Sequence, residues 1–141
     1  MESQRRNSRE KKSFRWLGNS VCVLSTYIDG LPYTCVPAAV HNLHRDTPSL
    51  LVCFDRRSSL IPLFTRGHEF AVNIFSPDHE LLSEHYTQRA GNARWLEGNW
   101  ICSEGEVPSL AGAQTVFFCS IAEYIPYYTH HFAVGVIEDI K

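Results

Sequence analysis

Short runs of apolar and β-branched residues recur along this 141-residue chain. The runs "EFAVNIF" (69–75) and "TVFFCSIAEYI" (115–125) are typical of them. Runs of this length and composition are characteristic of strands rather than of core helices. Strands therefore outnumber helices in the expected structure. The pattern predicts a mainly β fold, a small antiparallel barrel with helices packed at its ends.

The other predicted strands share this composition and are separated by turn residues. They are "SVCVLSTY" (20–27), "YTCVPAAV" (33–40), "PSLLVCF" (48–54), a short strand within "NWICSEGEVPSL" (99–110), and "HHFAVGVIEDI" (130–140). The Asp29-Gly30 pair predicts a hairpin between the first two. Pro37 marks an edge, a bulge or the end of the second strand. The continuous apolar run 48–54 predicts a strand that is covered on both faces.

Three segments carry helix signals. A short helix is expected over 10–17. A second is expected over 58–67, with a serine cap at its start and its end near Gly67. The third has the clearest start, because Ser76 is a good cap, Pro77 suits the first helical position, and acidic residues follow in the first turn.

Composition is that of an ordinary soluble globular domain, with 44% hydrophobic and 20% charged residues. The apolar runs fall short of the ~18 residues needed to cross a bilayer. The opening segment "MESQRRNSREKKSF" is polar and does not resemble a signal peptide. We therefore expect a cytoplasmic protein that does not enter a membrane.

The five cysteines form no C-x-x-C pair, and their number is odd. This pattern favours reduced, buried thiols in a reducing compartment over a zinc site or a catalytic thiolate. The seven histidines lack zinc-ligand spacing, and the chain has no Ser/His/Asp arrangement, Gly-rich phosphate loop or H-E-x-x-H motif. We therefore expect no metal site.

Basic residues are concentrated at the N-terminus. Six of the thirteen Lys and Arg residues lie in the first fifteen positions, although the formal net charge is −2. We interpret residues 1–13 as a mobile, basic N-terminal arm, and residues 14–141 as one domain. Contact of the arm with nucleic acid or an acidic partner is the alternative. Nothing elsewhere resembles a nucleic-acid module, so nucleic-acid binding is not expected.

The stretch "FDRRSS" (54–59) is the first candidate site. It comprises Asp55, Arg56, Arg57, Ser58 and Ser59, at the end of a predicted strand and the start of a predicted helix. Free N–H groups of a helix N-terminus, hydroxyl donors and guanidinium groups together suit a phosphate. A capping serine beside solvated arginines fits the same residues, so the pattern leaves both interpretations open.

Two further residues are candidates. Asn73 lies inside an apolar run, where its amide must find partners, and an asparagine that ties two strands together is the simpler explanation. His130 begins the last strand and shares a face with Phe132, Val134 and Val136, which we expect to be buried, while His131 points the other way. Nearby aromatic side chains would form either a pocket or ordinary core.

Taken in order, several segments resemble the flavin reductase-like family, the FMN-binding split barrel. They are "FRWLGNSVCVLST", "DTPSLLVCFDRRSSLIPLF", "FAVNIFSPDHELLSEHY", "RWLEGNW", "VPSLAGAQTVFFC" and "THHFAVGV". The resemblance implies an antiparallel, Greek-key-like split barrel. It also implies a homodimeric NAD(P)H:flavin oxidoreductase that reduces FMN, or FAD, with NADH or NADPH. Such reductases supply reduced flavin to a partner monooxygenase.

The resemblance also implies a cofactor site. The segment after the second strand would run along the edge of the isoalloxazine ring, and it contains Val36, Ala38, Ala39, Val40, His41 and Asn42. The turn at 55–59 would hold the flavin phosphate and ribityl chain, and Asn73 would lie on the strand that lines the ring. His130 matches the histidine of the family's "G-[DT]-H" strand start. It would be the catalytic residue that orients nicotinamide over the flavin.

Three departures from the family pattern leave alternatives open. The loop "VPAAVHNLHRDTPS" has Pro and Ala where relatives carry hydroxyl groups, and Tyr128 replaces a glycine where it would partly block the nicotinamide. The chain stops at Lys141, so an incomplete barrel or dimer edge is expected. The alternatives are an FMN-binding split-barrel protein with little reductase activity, such as an electron carrier, and an interaction domain that binds no flavin.

Overall fold

The computed structural model describes residues 22–44, 46–55, 65–88 and 98–141. The basic arm, the helix expected over 10–17, most of the helix expected over 58–67, and residues 56–59 lie outside the described residues. Two helical and nine strand segments are described: β1 (Cys22–Ile28), β2 (Leu31–Cys35), β3 (Ala39–His44), β4 (Ser49–Asp55), β5 (Glu69–Ile74), a 3₁₀ turn (Pro77–His79), α1 (Glu80–Gln88), β6 (Trp100–Ile101), β7 (Ser109–Leu110), β8 (Thr115–Tyr127) and β9 (His130–Ile140). The expected mainly β fold is confirmed.

Seven of these strands form one antiparallel sheet in the order β2-β1-β5-β8-β9-β4-β3, and β6 pairs with β7 alone. Three of the six neighbouring pairs, β1–β2, β3–β4 and β8–β9, join consecutive strands. The pairs β1–β5, β5–β8 and β4–β9 instead join strands that are distant in the sequence. These long-range pairs make the connections Greek-key-like, as the resemblance implied.

The sheet curls around a single apolar core. One cluster of buried side chains draws on all seven strands, for example Leu24, Cys35, Val40, Val52, Phe70, Phe117 and Ala133. The two edge strands of a flat seven-stranded sheet would lie roughly 29 Å apart, six strand spacings. Residues of β2 and β3 can share a cluster only because the sheet is rolled into a barrel.

The β1–β2 hairpin has the expected turn. Asp29 and Gly30 have φ values of 50° and 79°, the left-handed conformation that a two-residue hairpin turn requires. The expected second strand returns beside β1, and it ends at Cys35, just before Pro37, so the segment 33–40 is not one strand. A separate strand begins at Ala39. Polar residues give "AVHNLH" a weak strand preference, and its pairing with β4 is what makes it a strand.

The two faces of β4 and β9 differ from expectation. Leu51 and Cys53 are only half-buried, so β4 is fully covered on one face rather than two. On β9 the interior face carries His131, Ala133, Gly135 and Ile137, whereas the face that begins at His130 is half-exposed. The expectation that the His130 face is buried is wrong. Gly135 faces inward because the large Phe70 side chain fills the interior opposite it.

The helix α1 begins as expected and packs in an unexpected place. Ser76 precedes Pro77, and the amide N–H of Ser76 donates to Nδ1 of His79 at 3.2 Å. Tyr86 of α1 joins a cluster with Val23, an outward-facing residue of β1. The helix therefore covers the outer wall of the barrel, not its end, because Val23 would otherwise face water.

The five cysteines are all free thiols, as expected. Cys22, Cys35 and Cys119 are buried, Cys53 is half-buried, and Cys102 is exposed. Burial raises the pKa of Cys22 to about 12 and raises that of Cys119 as well. Among the described residues, no helix is long and apolar enough to cross a bilayer.

Gly135 is required by a close approach across the core. A Cβ atom built on it would lie 2.5 Å from Cζ of Phe70 and 3.2 Å from Cβ of Cys119. The Phe70 ring is itself buried and cannot swing into solvent. We therefore predict that Gly135→Ala lowers the free energy of unfolding by about 1–3 kcal/mol, measured by urea denaturation.

The partner substitution supplies the control. Phe70→Leu shortens the side chain that Gly135 accommodates, so the double variant should lose less stability than the sum of the two single losses. Strict additivity would contradict a direct contact between the two positions.

Candidate functional site

Three of the expected site segments meet at one end of the barrel. Ala39 pairs with Cys53, and Asp55 pairs with His130, so β3 and the start of β9 flank the end of β4 on either side. Cys53 and Asp55 are two residues apart, which puts the main chains of residues 39, 55 and 130 within roughly 12 Å. The expected phosphate turn, residues 56–59, directly follows Asp55 in the sequence but lies outside the described residues.

His130 is half-exposed on the outward face of this end. Its Nδ1 lies 2.9 Å from the hydroxyl of Thr129, so Nε2 is the nitrogen that could bond to a ligand. Tyr127 of β8 is its direct cross-strand partner on the other side. The imidazole is thus held by its neighbour in the turn, between an aromatic residue and the end of β4.

The β3 strand provides a row of main-chain groups. It lies at the end of the strand order, and β4 is its only neighbour among the described strands. Every second N–H and C=O of such a strand points away from the sheet. Ala38, His41 and Asn42 are exposed and Ala39 is half-exposed, whereas the Val40 side chain is in the core. The side chain of Val40 is therefore not available to a ligand.

The Ala38 N–H is already used, since it donates to the carbonyl of Cys53 at 2.8 Å. This bond holds the segment 36–38 close to β4 as β3 begins. A flat ring with donors and acceptors along one edge, such as isoalloxazine, suits a sheet edge of this kind. The described part of the site therefore fits a flavin.

Asn73 lies elsewhere. It pairs with Val116 at the start of β8, eleven positions from Tyr127, which is roughly 36 Å along the strand. Its side chain is fully buried, and its amide donates to the carbonyl of Val23 at 3.0 Å and to the hydroxyl of Ser25 at 2.9 Å. Its oxygen accepts from the Leu110 N–H at 2.9 Å. This geometry is that of the strand-tying asparagine, and it does not bring Asn73 together with His130.

Sequence reasoning missed His131. Its side chain is 8% exposed on the inward face, its ring stacks on Tyr124 with centroids 5.4 Å apart, and the Tyr124 hydroxyl hydrogen-bonds to its Nδ1. Its Nε2 is buried and has no hydrogen-bond partner among the described residues. The small residues Ala133 and Gly135 on the same face were the signal that this face, not that of His130, enters the barrel.

A second concavity, of about 640 Å³, lies beside β1 and β5 and was also missed. Tyr27, His68, Glu69 and Cys102 line it. His68 lies with its Nε2 2.8 Å from the Thr26 hydroxyl, and burial lowers its pKa below the usual value. A hydrogen bond to Cys102 raises the pKa of Tyr27. Across the described ranges, no three His, Cys, Asp or Glu side chains are placed to hold a metal ion.

The model of the family described as "Flavin reductase like domain" matches residues 14–141. The chain belongs to this family. A protein named FMN reductase (NADH) RutF 2 from Methylorubrum extorquens is 27% identical over 129 residues, 91% of this chain and 75% of that protein. The FMN reductase (NADH) RutF of Cronobacter sakazakii is 32% identical over 99 residues, 66% of this chain and 57% of that protein.

Another relative is the reductase component of the FADH(2)-dependent resorcinol hydroxylase of Rhizobium sp. It is 29% identical over 100 residues, 70% of this chain and 56% of that protein. The chain thus spans between about half and three quarters of the length of these curated relatives.

Solved structures confirm the split-barrel fold. Flavin reductase PheA2 in its native state superposes with a TM-score of 0.72 at 19% identity, over 86% of this chain and 78% of that one. The NADH:FAD oxidoreductase SgcE6 of Streptomyces globisporus C-1027, in complex with NAD and FAD fragments, gives 0.74 at 18% identity, over 86% and 73%.

The geometry of Asn73 generates a prediction. Asn73→Ala would leave the Leu110 N–H and the Val23 carbonyl without their buried partner, so the free energy of unfolding should fall by about 2–4 kcal/mol. FMN affinity of the folded protein, measured by flavin fluorescence quenching, should stay within about twofold, since the site lies at the other end of the barrel.

Ser25→Ala is the comparison variant. It removes one Asn73 contact and the bond from the Ser25 hydroxyl to the Pro108 carbonyl, and it should cost less stability because the Leu110 N–H keeps its partner. A large loss of FMN affinity in folded Asn73→Ala protein, with Ser25→Ala unaffected, would instead assign Asn73 to the flavin site.

Proposed function

We propose that this protein is a flavin reductase, which reduces FMN, or FAD, with hydride from NADH or NADPH. The observation that carries the proposal is the meeting of the β3 edge, the end of β4 and His130 at one end of the barrel. The names of the relatives support it, since two are FMN reductases that use NADH and one is a reductase component of a hydroxylase.

Bound flavin supplies the hydride-accepting chemistry, and the protein has to hold two flat rings in contact and exclude water. The main chain of Ala39, Val40 and His41 would bind the polar edge of the flavin ring from the side of β3. His130, through Nε2, would orient the nicotinamide and accept or donate one hydrogen bond there. The hydroxyl of Thr129 fixes the imidazole and so limits its rotation.

The phosphate cradle at Asp55, Arg56, Arg57, Ser58 and Ser59 remains part of the proposal. Its support is the donor chemistry of the two arginines and two serines, together with the pairing of Asp55 with His130. This pairing starts the turn next to the proposed nicotinamide position. A phosphate held there would place the attached ring between β3 and β9.

The proposed activity is tested by anaerobic titration of FMN-loaded protein with NADH, followed by visible absorbance. We expect loss of the flavin band near ~450 nm at one equivalent of NADH per flavin. His130→Ala should slow this reduction by about 10–100-fold because the nicotinamide loses its orienting group. Flavin binding, measured separately by fluorescence, should be retained.

Glu84→Ala, an exposed change on α1, is the matched control and should reduce at the wild-type rate. Flavin that binds but is not reduced would replace the proposal with the alternative of a flavin-binding protein lacking reductase activity. Absence of flavin binding would favour an interaction domain.

We also propose that the protein acts as a homodimer. Half-exposed apolar side chains lie together on the outward face of β4, β8 and β9, and we name them the outer patch: Leu51, Cys53, Ile125, Phe132 and Val134. Contiguous apolar surface of this kind is typical of an interface. The outer patch shares its face with His130, so a second copy seated on it would complete a wall of the flavin site.

The dimer is tested at Phe132, which pairs with Cys53 on one side and Ile125 on the other, within the outer patch. Phe132→Lys buries a charge if the patch is an interface, so a wild-type dimer in sedimentation velocity should become a monomer. Leu81→Lys, a matched change at a residue that is 82% exposed on α1, should leave the dimer intact. A monomeric wild-type protein at micromolar concentration would overturn this part of the proposal.

The cytoplasm is the location we propose, since five free thiols suit a reducing compartment. A monooxygenase that accepts the reduced flavin is the proposed partner. This proposal is supported by the relative that is named as the reductase component of a hydroxylase.

A further inference from the structure

Tyr128 adopts a backbone conformation that few residues with a bulky side chain adopt. Together with Thr129 it forms the turn between β8 and β9, and its φ is 52°. The left-handed region is strained for residues with a Cβ atom, and short polar residues tolerate it best. Asp29, the other non-glycine residue with positive φ among those described, is of that tolerant kind. Tyr128 is not.

Packing does not explain why a tyrosine is kept there. Its ring is 80% exposed and meets the ring of Tyr127 edge-on, with centroids 4.6 Å apart and planes at 87°. Tyr127 is itself 62% exposed. A pair of rings in water adds little to folding, so the strained conformation is kept without a matching gain in packing. Strain of this kind is concentrated at binding and active sites.

The turn places this ring pair beside His130. Tyr127 pairs directly with His130, and Tyr128 is separated from His130 only by Thr129, whose hydroxyl holds the imidazole. Tyr128 lies farther out than His130, at the tip of the hairpin. A dinucleotide that puts its nicotinamide next to His130 would therefore meet Tyr128 with its distal part.

We propose that the Tyr127–Tyr128 corner stacks the adenine ring of the nicotinamide dinucleotide, and that Tyr128 sets the affinity for this substrate instead of blocking it. The proposal rests on the proposed flavin reductase activity for its kinetic test, but binding of the oxidised dinucleotide tests it independently. Aromatic side chains stack on bases through their faces, and an exposed ring is suited to this role.

The test compares two substrates of the FMN-loaded protein: NADH, and reduced nicotinamide mononucleotide, which lacks the adenosine part. Tyr128→Gly should raise KM for NADH by about 5–20-fold, in the range that base stacking gives, and leave kcat and the KM for the mononucleotide unchanged. Tyr128→Phe keeps the ring and should restore the wild-type KM. The thermal midpoint of Tyr128→Gly should equal or exceed that of the wild type, since glycine relieves the strain.

Asp29→Gly is the matched control, because it relaxes the same backbone conformation in another turn. It should leave both KM values unchanged. An unchanged or lower KM for NADH in Tyr128→Gly, or an equal rise for both substrates, would overturn the proposal.

Calorimetric binding of NAD⁺ and of oxidised nicotinamide mononucleotide separates this inference from the proposed activity. If Tyr128→Gly weakens the binding of NAD⁺ but not that of the mononucleotide, the result supports adenine stacking at the corner even in a protein that does not reduce flavin. Equal binding of NAD⁺ by the wild type and Tyr128→Gly overturns it even in an active reductase.

Discussion

The pairing of β4 with β9 is the contact on which both the barrel and the candidate site depend. It joins seven residue pairs, from Ser49 with Val136 to Asp55 with His130, between strands that are distant in the sequence. Its inward residues, such as Val52 and Ala133, are part of the common core. Its last pair sets the end of β4 against the histidine at the start of β9. The β4–β9 ladder therefore contributes both to the core of the barrel and to the geometry of the candidate site.

Most of the fold could be predicted from local signals, because strand composition and turn chemistry are written in short segments. The Asp29-Gly30 turn, the start of the helical segment at Ser76, and the two long final strands were all correct. The β3 strand was missed since it is made by pairing with β4 and not by its own composition. The location of α1 could not be predicted, because it depends on Val23, an apolar residue on the outer face of β1, against which Tyr86 of α1 packs.

The candidate site was predictable only in part. Residues 39, 55 and 130 were identified through a family resemblance, and the sheet register then brought them together. The alternation of side chains along β9 was predicted correctly. The His130 face was wrongly expected to be the buried one, because it carries the larger apolar side chains. Phe70 fills the space opposite Gly135, so the inward residue at position 135 must be small. The roles of Asn73 and His131 could not be predicted for a similar reason. The role of a buried polar side chain depends on its hydrogen-bond partners in the fold and not on its neighbours in the sequence.

The five thiols described with the fold have a practical consequence. Cys102 is exposed near the second concavity, Cys53 is half-buried within the outer patch, and the other three are enclosed. Maleimide dyes would therefore attach first at a position away from His130, without engineered cysteines. The chain thus carries its own graded set of attachment points for fluorescence or spin-label spectroscopy, and Cys53 is placed to sense contact with another molecule.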